Sequence, residues 1–202
     1  MKRSVFDNKF QEESVESKIV VALERISEAF RVLLWEESKE HALSPIQTQI
    51  LIFCLFHDSD KSTVSHLANE FNMTKSTISD SVKSLLSKKL IIKETESDDN
   101  RSYSIKLTDS GKMLAKKVSI FANKILEPLA NSTAEQNELL LSGLLDLISN
   151  LQNSGVISIN RMCLSCRFHE VIKKQNFCHL LNSPLKKSEL RIDCRDHELI
   201  ST

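Results

Sequence analysis

The stretch TKSTISDSVKSLLSKKLIIKETESDDNRSYSIKLTDSG, residues 74–111, changes its apolar period twice, and that change decides the fold. From Thr74 to about Lys88 the apolar residues Ile78, Val82, Leu85 and Leu86 recur at three- and four-residue spacing. This predicts a helix that buries one face, with Thr74 as its N-cap. Its solvent face opens with Thr74, Lys75, Ser76, Thr77 and Ser79. From Leu90 the pattern alternates instead, so 90–95 and 102–107 read as two strands joined by a polar tip at 96–101. At Thr108 a helical period resumes. Helix, hairpin, helix is a winged arrangement.

Upstream, Thr63 to Phe71 reads as a short helix with Val64, Leu67, Ala68 and Phe71 inward, and Asn72-Met73 is a tight connection to the next. The pair is a helix-turn-helix, and its second member is the recognition helix. Ser44 followed by Pro45 is an N-cap with proline at the first helical position, starting a helix to about Phe56 whose apolar run is too rich to face water. Before it, Ile19, Leu23, Ile26, Phe30 and Leu33 mark a long amphipathic helix from Val15 to Glu40. Downstream, one helix is expected from Thr108 through Leu114, Val118, Phe121 and Ile125 to near Pro128. Ser132 to Glu135 reads as a capping box for a last one carrying Leu139, Leu140, Leu144, Leu147, Ile148 and Leu151. Asn153 to Gly155 then marks a boundary between residues 1–152 and a tail, 153–202.

Only three glycines and three prolines occur among 202 residues, which predicts a mainly α chain with a two- to three-stranded β-wing. It also excludes a glycine-rich phosphate loop, and with no nucleophile–base pair in view no enzyme is expected. Met1 to Phe10 contain no long apolar stretch, so neither a signal peptide nor a membrane span is expected and the protein reads as cytoplasmic. The formal net charge is zero. Residues 61–112 hold nine basic against seven acidic side chains, a modest local excess whose candidate phosphate contacts are Lys75, Lys83, Lys88, Lys93 and Lys106. His57 and His66 read as surface or capping residues, and Cys54, inside an apolar run, as an inert buried thiol.

The tail carries Cys163, Cys166, Cys178 and Cys194 at C-x2-C-x11-C-x15-C. So small and polar a segment buries little apolar surface, whereas four thiolates closing on one metal centre would supply folding free energy. In a reducing compartment such spacing favours metal ligation over disulfides. Zinc is the expected cofactor, with an iron–sulfur cluster as the alternative, because one C-x-x-C knuckle lacks the second knuckle of a zinc ribbon. At most one of His169, His179 and His197 is expected to ligate, and Arg161, Arg167, Arg195 and Lys173 lie near in sequence to offset the thiolate charge.

The element order, together with Asp98-Asp99-Asn100-Arg101-Ser102 followed by Leu107-Thr108-Asp109-Ser110-Gly111, resembles the MarR family of transcriptional regulators over about residues 15–152. The resemblance implies an obligate homodimer, through a helical dimerisation region, on a two-fold double-stranded DNA operator. It implies that Arg101 enters the minor groove with Asp99 orienting its guanidinium. Thr74, Lys75, Ser76, Thr77, Ser79 and Lys83 would then serve the major groove and its phosphates. Repression, tuned by a small-molecule effector or by metal or redox state, is the implied function. Two residues depart from the family pattern: Asp80, where a basic residue is common, and Lys89, where a glycine often precedes the first wing strand. The competing reading is a winged-helix protein-interaction module with a zinc-stabilised docking tail.

Overall fold

Side-chain oxygens set most of the helix starts. Ser14, Ser44, Thr63, Thr74, Thr108 and Thr133 each accept a backbone N–H three residues on, opening α2 (Val15–Glu40), α3 (Pro45–Phe56), α4 (Val64–Glu70), α5 (Lys75–Ser87), α6 (Asp109–Val118) and α8 (Ala134–Asn153). Each such cap stabilises its helix by about 1 kcal/mol. The computed structural model describes residues 3–94, 103–157 and 161–200. Two shorter helices complete the set: α1 (Asn8–Glu13), which the sequence pattern did not announce, and α7 (Asn123–Ala130).

Two expectations are corrected. The single helix expected from Thr108 to Pro128 is α6 and α7 with a break between them, where Phe121 and Asn123 donate to Val118 and Ile120 and tight three-residue turns replace the α-helical ladder. The capping box before α8 lies one residue later than read: Thr133 and Gln136 exchange side-chain and backbone bonds. The tail, for which the sequence pattern named no elements, forms an antiparallel sheet of β3 (His169–Ile172), β4 (Gln175–Cys178) and β5 (Ser183–Leu185).

The wing is β1 (Ile91–Glu94) paired antiparallel with β2 (Ser104–Leu107), with Ile91 opposite Leu107 and Glu94 opposite Ser104. The main core gathers Ile50, Leu51 and Phe53 of α3, Leu67 and Ala68 of α4, Ile78, Val82 and Leu85 of α5, Ile91, Ile105 and Leu107 of the wing and Ala115 of α6. These are the i, i+3, i+4 and alternating positions that the two periods marked. A second, smaller core joins Leu145 of α8 to Met162, Cys163 and Leu190, so the cysteine-bearing tail packs on the last long helix. Among the described residues no helix is long and apolar enough to cross a membrane.

Candidate nucleic-acid interface and thiol lobe

The α4–α5 turn is a Schellman motif. Asn72 takes φ +50°, its N–H bonds to the Asn69 carbonyl, and the Met73 N–H bonds to Ala68 at 2.8 Å. Asparagine is among the few residues that enter this left-handed region cheaply, which fixes the angle between the two helices. The N-terminus of α5 is thereby left in solvent: Thr74, Lys75, Ser76 and Thr77 are exposed, and Ser79 is half-buried. Thr74 Oγ1 accepts from the Thr77 N–H at 3.1 Å and lies 2.8 Å from Thr77 Oγ1, so these two hydroxyls share one bond at the start of the helix.

The lysines expected at phosphates are unequal. Lys75 stands exposed at the helix start. Lys83 is paired with Asp80 at 3.0 Å, Lys106 pairs with Glu94, Lys88 donates to the Ala42 carbonyl, and Lys93 lies 4.2 Å from the centre of the Tyr103 ring. Asp80 thus neutralises the lysine one turn along. Asp99 and Arg101 lie outside the described residues.

The wing is anchored at both ends of its strands. Ile105 N–H donates to Ser62 O at 2.9 Å, and Thr108 Oγ1 donates toward the carbonyls of Lys89 and Leu90. The glycine of Leu-Thr-x-x-Gly has a steric reason: a Cβ on Gly111 would stand 1.8 Å from Leu90 O. Lys89, in the place of a glycine, adopts φ +58° as the C′ residue of α5, its N–H bonded to Leu86 O and that of Leu90 to Leu85 O. The cap is kept, at the cost of a β-carbon in the left-handed region.

In the tail, residues 163–165 form a single tight turn in which the Cys166 N–H returns to Cys163 O at 3.0 Å, and Cys178 ends β4 opposite His169. Cys163 and Cys166 are buried; Cys178 and Cys194 are half-buried. Cys163, Cys178 and Cys194 line one cavity of about 250 Å³ with Leu180, Leu181 and Leu185. The backbone N–H of Arg191 donates to Cys163 Sγ at 3.2 Å and its guanidinium to Cys194 Sγ at 3.5 Å. Burial pushes the Cys163 thiol up, the Arg191 N–H pulls it back, and the neighbouring Cys194, Cys166 and Cys178 push it further up. Such a donor set fits a thiophilic metal, which would relieve this mutual repulsion. The histidines are engaged elsewhere: His169 with Asn176, His179 with Glu170 and His197 with Ser165. Cys54 is apart from the four, and burial drives its thiol up to about 11 despite a hydrogen bond with Ser62.

Sequence reasoning missed how this lobe meets the helix-turn-helix. Arg161, expected to balance thiolate charge, instead donates to Glu70 of α4 at 2.6 and 3.1 Å and to Asp193 at 2.7 and 3.3 Å, with its side chain only 12% exposed. Burial opposes its charge, yet the bonds to Asp193 and Glu70 outweigh that and raise its proton affinity. His57, expected as a surface or capping residue, is the C-cap of α3; its ring is also stacked on Phe53 with centres 3.9 Å apart, and its Nε2 lies 2.7 Å from Asp193 Oδ2 and 3.2 Å from Arg161 Nη2. Lys61 Nζ donates to Arg195 O at 3.1 Å. The cationic residue that donates to the thiols is Arg191, and Glu189 and Asp196 line the same cavity. An Asp-Cys-Arg run at 193–195 was the only local hint.

The helix-turn-helix, the wing and the flanking long helices make this a winged helix-turn-helix fold. Residues 42–102 match the model of the MarR family. An uncharacterised HTH-type transcriptional regulator of Bacillus subtilis, YdgJ, is 26% identical over 108 residues, 53% of this chain and 66% of the relative, so the chain matches just under two thirds of that relative's length. A crystal structure of the MepR–DNA complex of Staphylococcus aureus is 25% identical, with a TM-score of 0.55 over 65% of this chain and 96% of that one. MepR in its DNA-binding conformation shares the fold at a TM-score of 0.57, covering 66% of this chain and 98% of its own at 23% identity. The family match ends before the four cysteines.

Proposed function

We propose that this protein is a homodimeric regulator of transcription that binds double-stranded DNA and represses by covering a promoter. The observation that carries the reading is the exposed N-terminus of α5 beside an anchored wing. Hydroxyls, one unneutralised lysine and a helix start are presented together, as a major groove and its phosphates require. The S. aureus relative of the same fold is described in complex with DNA. Exposed apolar side chains on the long helices support the dimer, and they suit burial against a second copy.

The same reading extends to the tail. Four thiols hold a metal centre, and its state reaches the DNA-binding face through Arg161: Asp193 adjoins the ligand Cys194, while Glu70 is the last residue of the helix before the recognition turn. Metal-loaded and metal-free lobes would present Arg161 differently and shift the population of DNA-competent dimers.

Footprinting of the purified full chain on chromosomal fragments tests the reading, followed by titration of the protected fragment with the Arg101→Ala variant. A protected pseudo-palindrome whose affinity falls at least tenfold in the variant is expected. Protection of no fragment at low ionic strength would reject the regulator. Unchanged affinity in Arg101→Ala would reject the role given to the wing and favour a protein-docking module.

A further inference from the structure

Three of the four cysteines line a space larger than one ion fills. Tetrahedral zinc with Zn–S bonds near 2.3 Å draws its sulfurs to about 3.8 Å from one another. Among the described residues no three of these sulfurs lie within 4.8 Å of one another. They are nonetheless neighbours: three line one cavity, Arg191 reaches two of them, and the fourth, Cys166, is buried in the same tight turn as Cys163. The cavity measures about 250 Å³. A single water takes up about 30 Å³ of the liquid, and a bare divalent cation takes up less. Besides the thiols and Arg191, the cavity is lined by Leu180, Leu181 and Leu185, which offer no ligand, and by Glu189 and Asp196, the latter paired with Arg191 at 3.8 Å.

From this geometry we infer that the lobe is built for a polynuclear iron–sulfur cluster held by Cys163, Cys166, Cys178 and Cys194, in place of a single zinc ion. A cluster interposes several irons and inorganic sulfides between its protein thiolates. Its ligand sulfurs therefore stand farther apart than those on one ion, and its bulk needs a space larger than one ion fills. The N–H···S bonds from Arg191 to Cys163 and Cys194 are the kind that stabilise cluster thiolates, and the guanidinium offsets part of the cluster's negative charge. The inference rests on the four-thiol reading of the tail proposed above and is independent of whether the protein binds DNA.

The test uses the full chain purified without oxygen from iron-replete cells, with iron, acid-labile sulfide and zinc measured on the same sample and a visible absorption spectrum recorded. Iron and sulfide in equal amounts, with a broad charge-transfer band and a brown colour, are expected. Cys178→Ser and Cys194→Ser should lose colour while keeping their helical circular dichroism, and Cys54→Ser should keep both. Stoichiometric zinc without sulfide, iron without sulfide, or a colourless protein after anaerobic incubation with ferrous iron and sulfide would each overturn the inference. Retention of a full cluster in both Cys178→Ser and Cys194→Ser would do so as well. A brown protein that protects no DNA would leave the cluster in place and reject only the regulator.

Discussion

Gly111 and Lys89 meet at the Leu90 carbonyl, where the start of α6 crosses the chain entering the wing. A β-carbon at position 111 would stand only 1.8 Å from Leu90 O, so the Gly111→Ala variant must displace either α6 or β1. A loss of about 1–3 kcal/mol is expected, seen as a lower thermal midpoint with the two-state transition kept. An unchanged midpoint would contradict the close approach. Lys89→Gly should act in the other direction and gain about 1 kcal/mol, since it removes a β-carbon from a residue at φ +58° without disturbing either capping bond. The glycine of the family pattern was legible as a motif in the sequence. Its cause was not, because the carbonyl it avoids becomes a neighbour only when the wing folds back.

Among the elements, α5 carries the proposed interface and α4 its support. Lys75 is exposed and Lys83 is tied to Asp80, so the two should differ in salt dependence. Replacing Lys75 with Ala should reduce the slope of log affinity against log salt by about two per dimer, one for each subunit, whereas Lys83→Ala should change it less. Equal effects of the two would remove the distinction. The Arg161 contact belongs to this scale too. Arg161→Ala and Glu70→Ala should each weaken the docking of the lobe on α4, and their combination should cost less than the sum, with a coupling of about 1–3 kcal/mol in a double-mutant cycle of thermal stability. Strict additivity would mean that the contact contributes nothing. Helix starts and the strand alternation were readable because caps and periods are local; the α6–α7 break was missed because the apolar period runs straight through it.

At the scale of the whole molecule, α2 and α8 bury little within one chain. Only Ser17 and Ser38 of α2 are buried, while Val15, Ile19, Val20, Ile26, Phe30, Val32 and Trp35 stand exposed; α8 buries Leu145 and exposes Leu139, Leu140 and Leu147. Such a stripe on a lone subunit would invite aggregation, and a two-fold partner is the economical cover for it. Sedimentation should therefore find a dimer, and placing glutamate at both Ile19 and Leu139 should yield a monomer that no longer binds the operator with nanomolar-range affinity. A stable wild-type monomer would count against the proposal.

The sequence by itself determined the winged helix-turn-helix, the positions of most helix starts and the four-cysteine spacing, because caps, periodicity and ligand spacing act over a few residues. Only the tertiary structure decided what those parts do to one another. It turned Arg161 toward Glu70 across 91 residues and His57 toward Asp193 across 136, and it brought Cys163, Cys178 and Cys194 to one cavity. Contacts at such separations depend on how whole elements pack, and no local pattern in the chain encodes them.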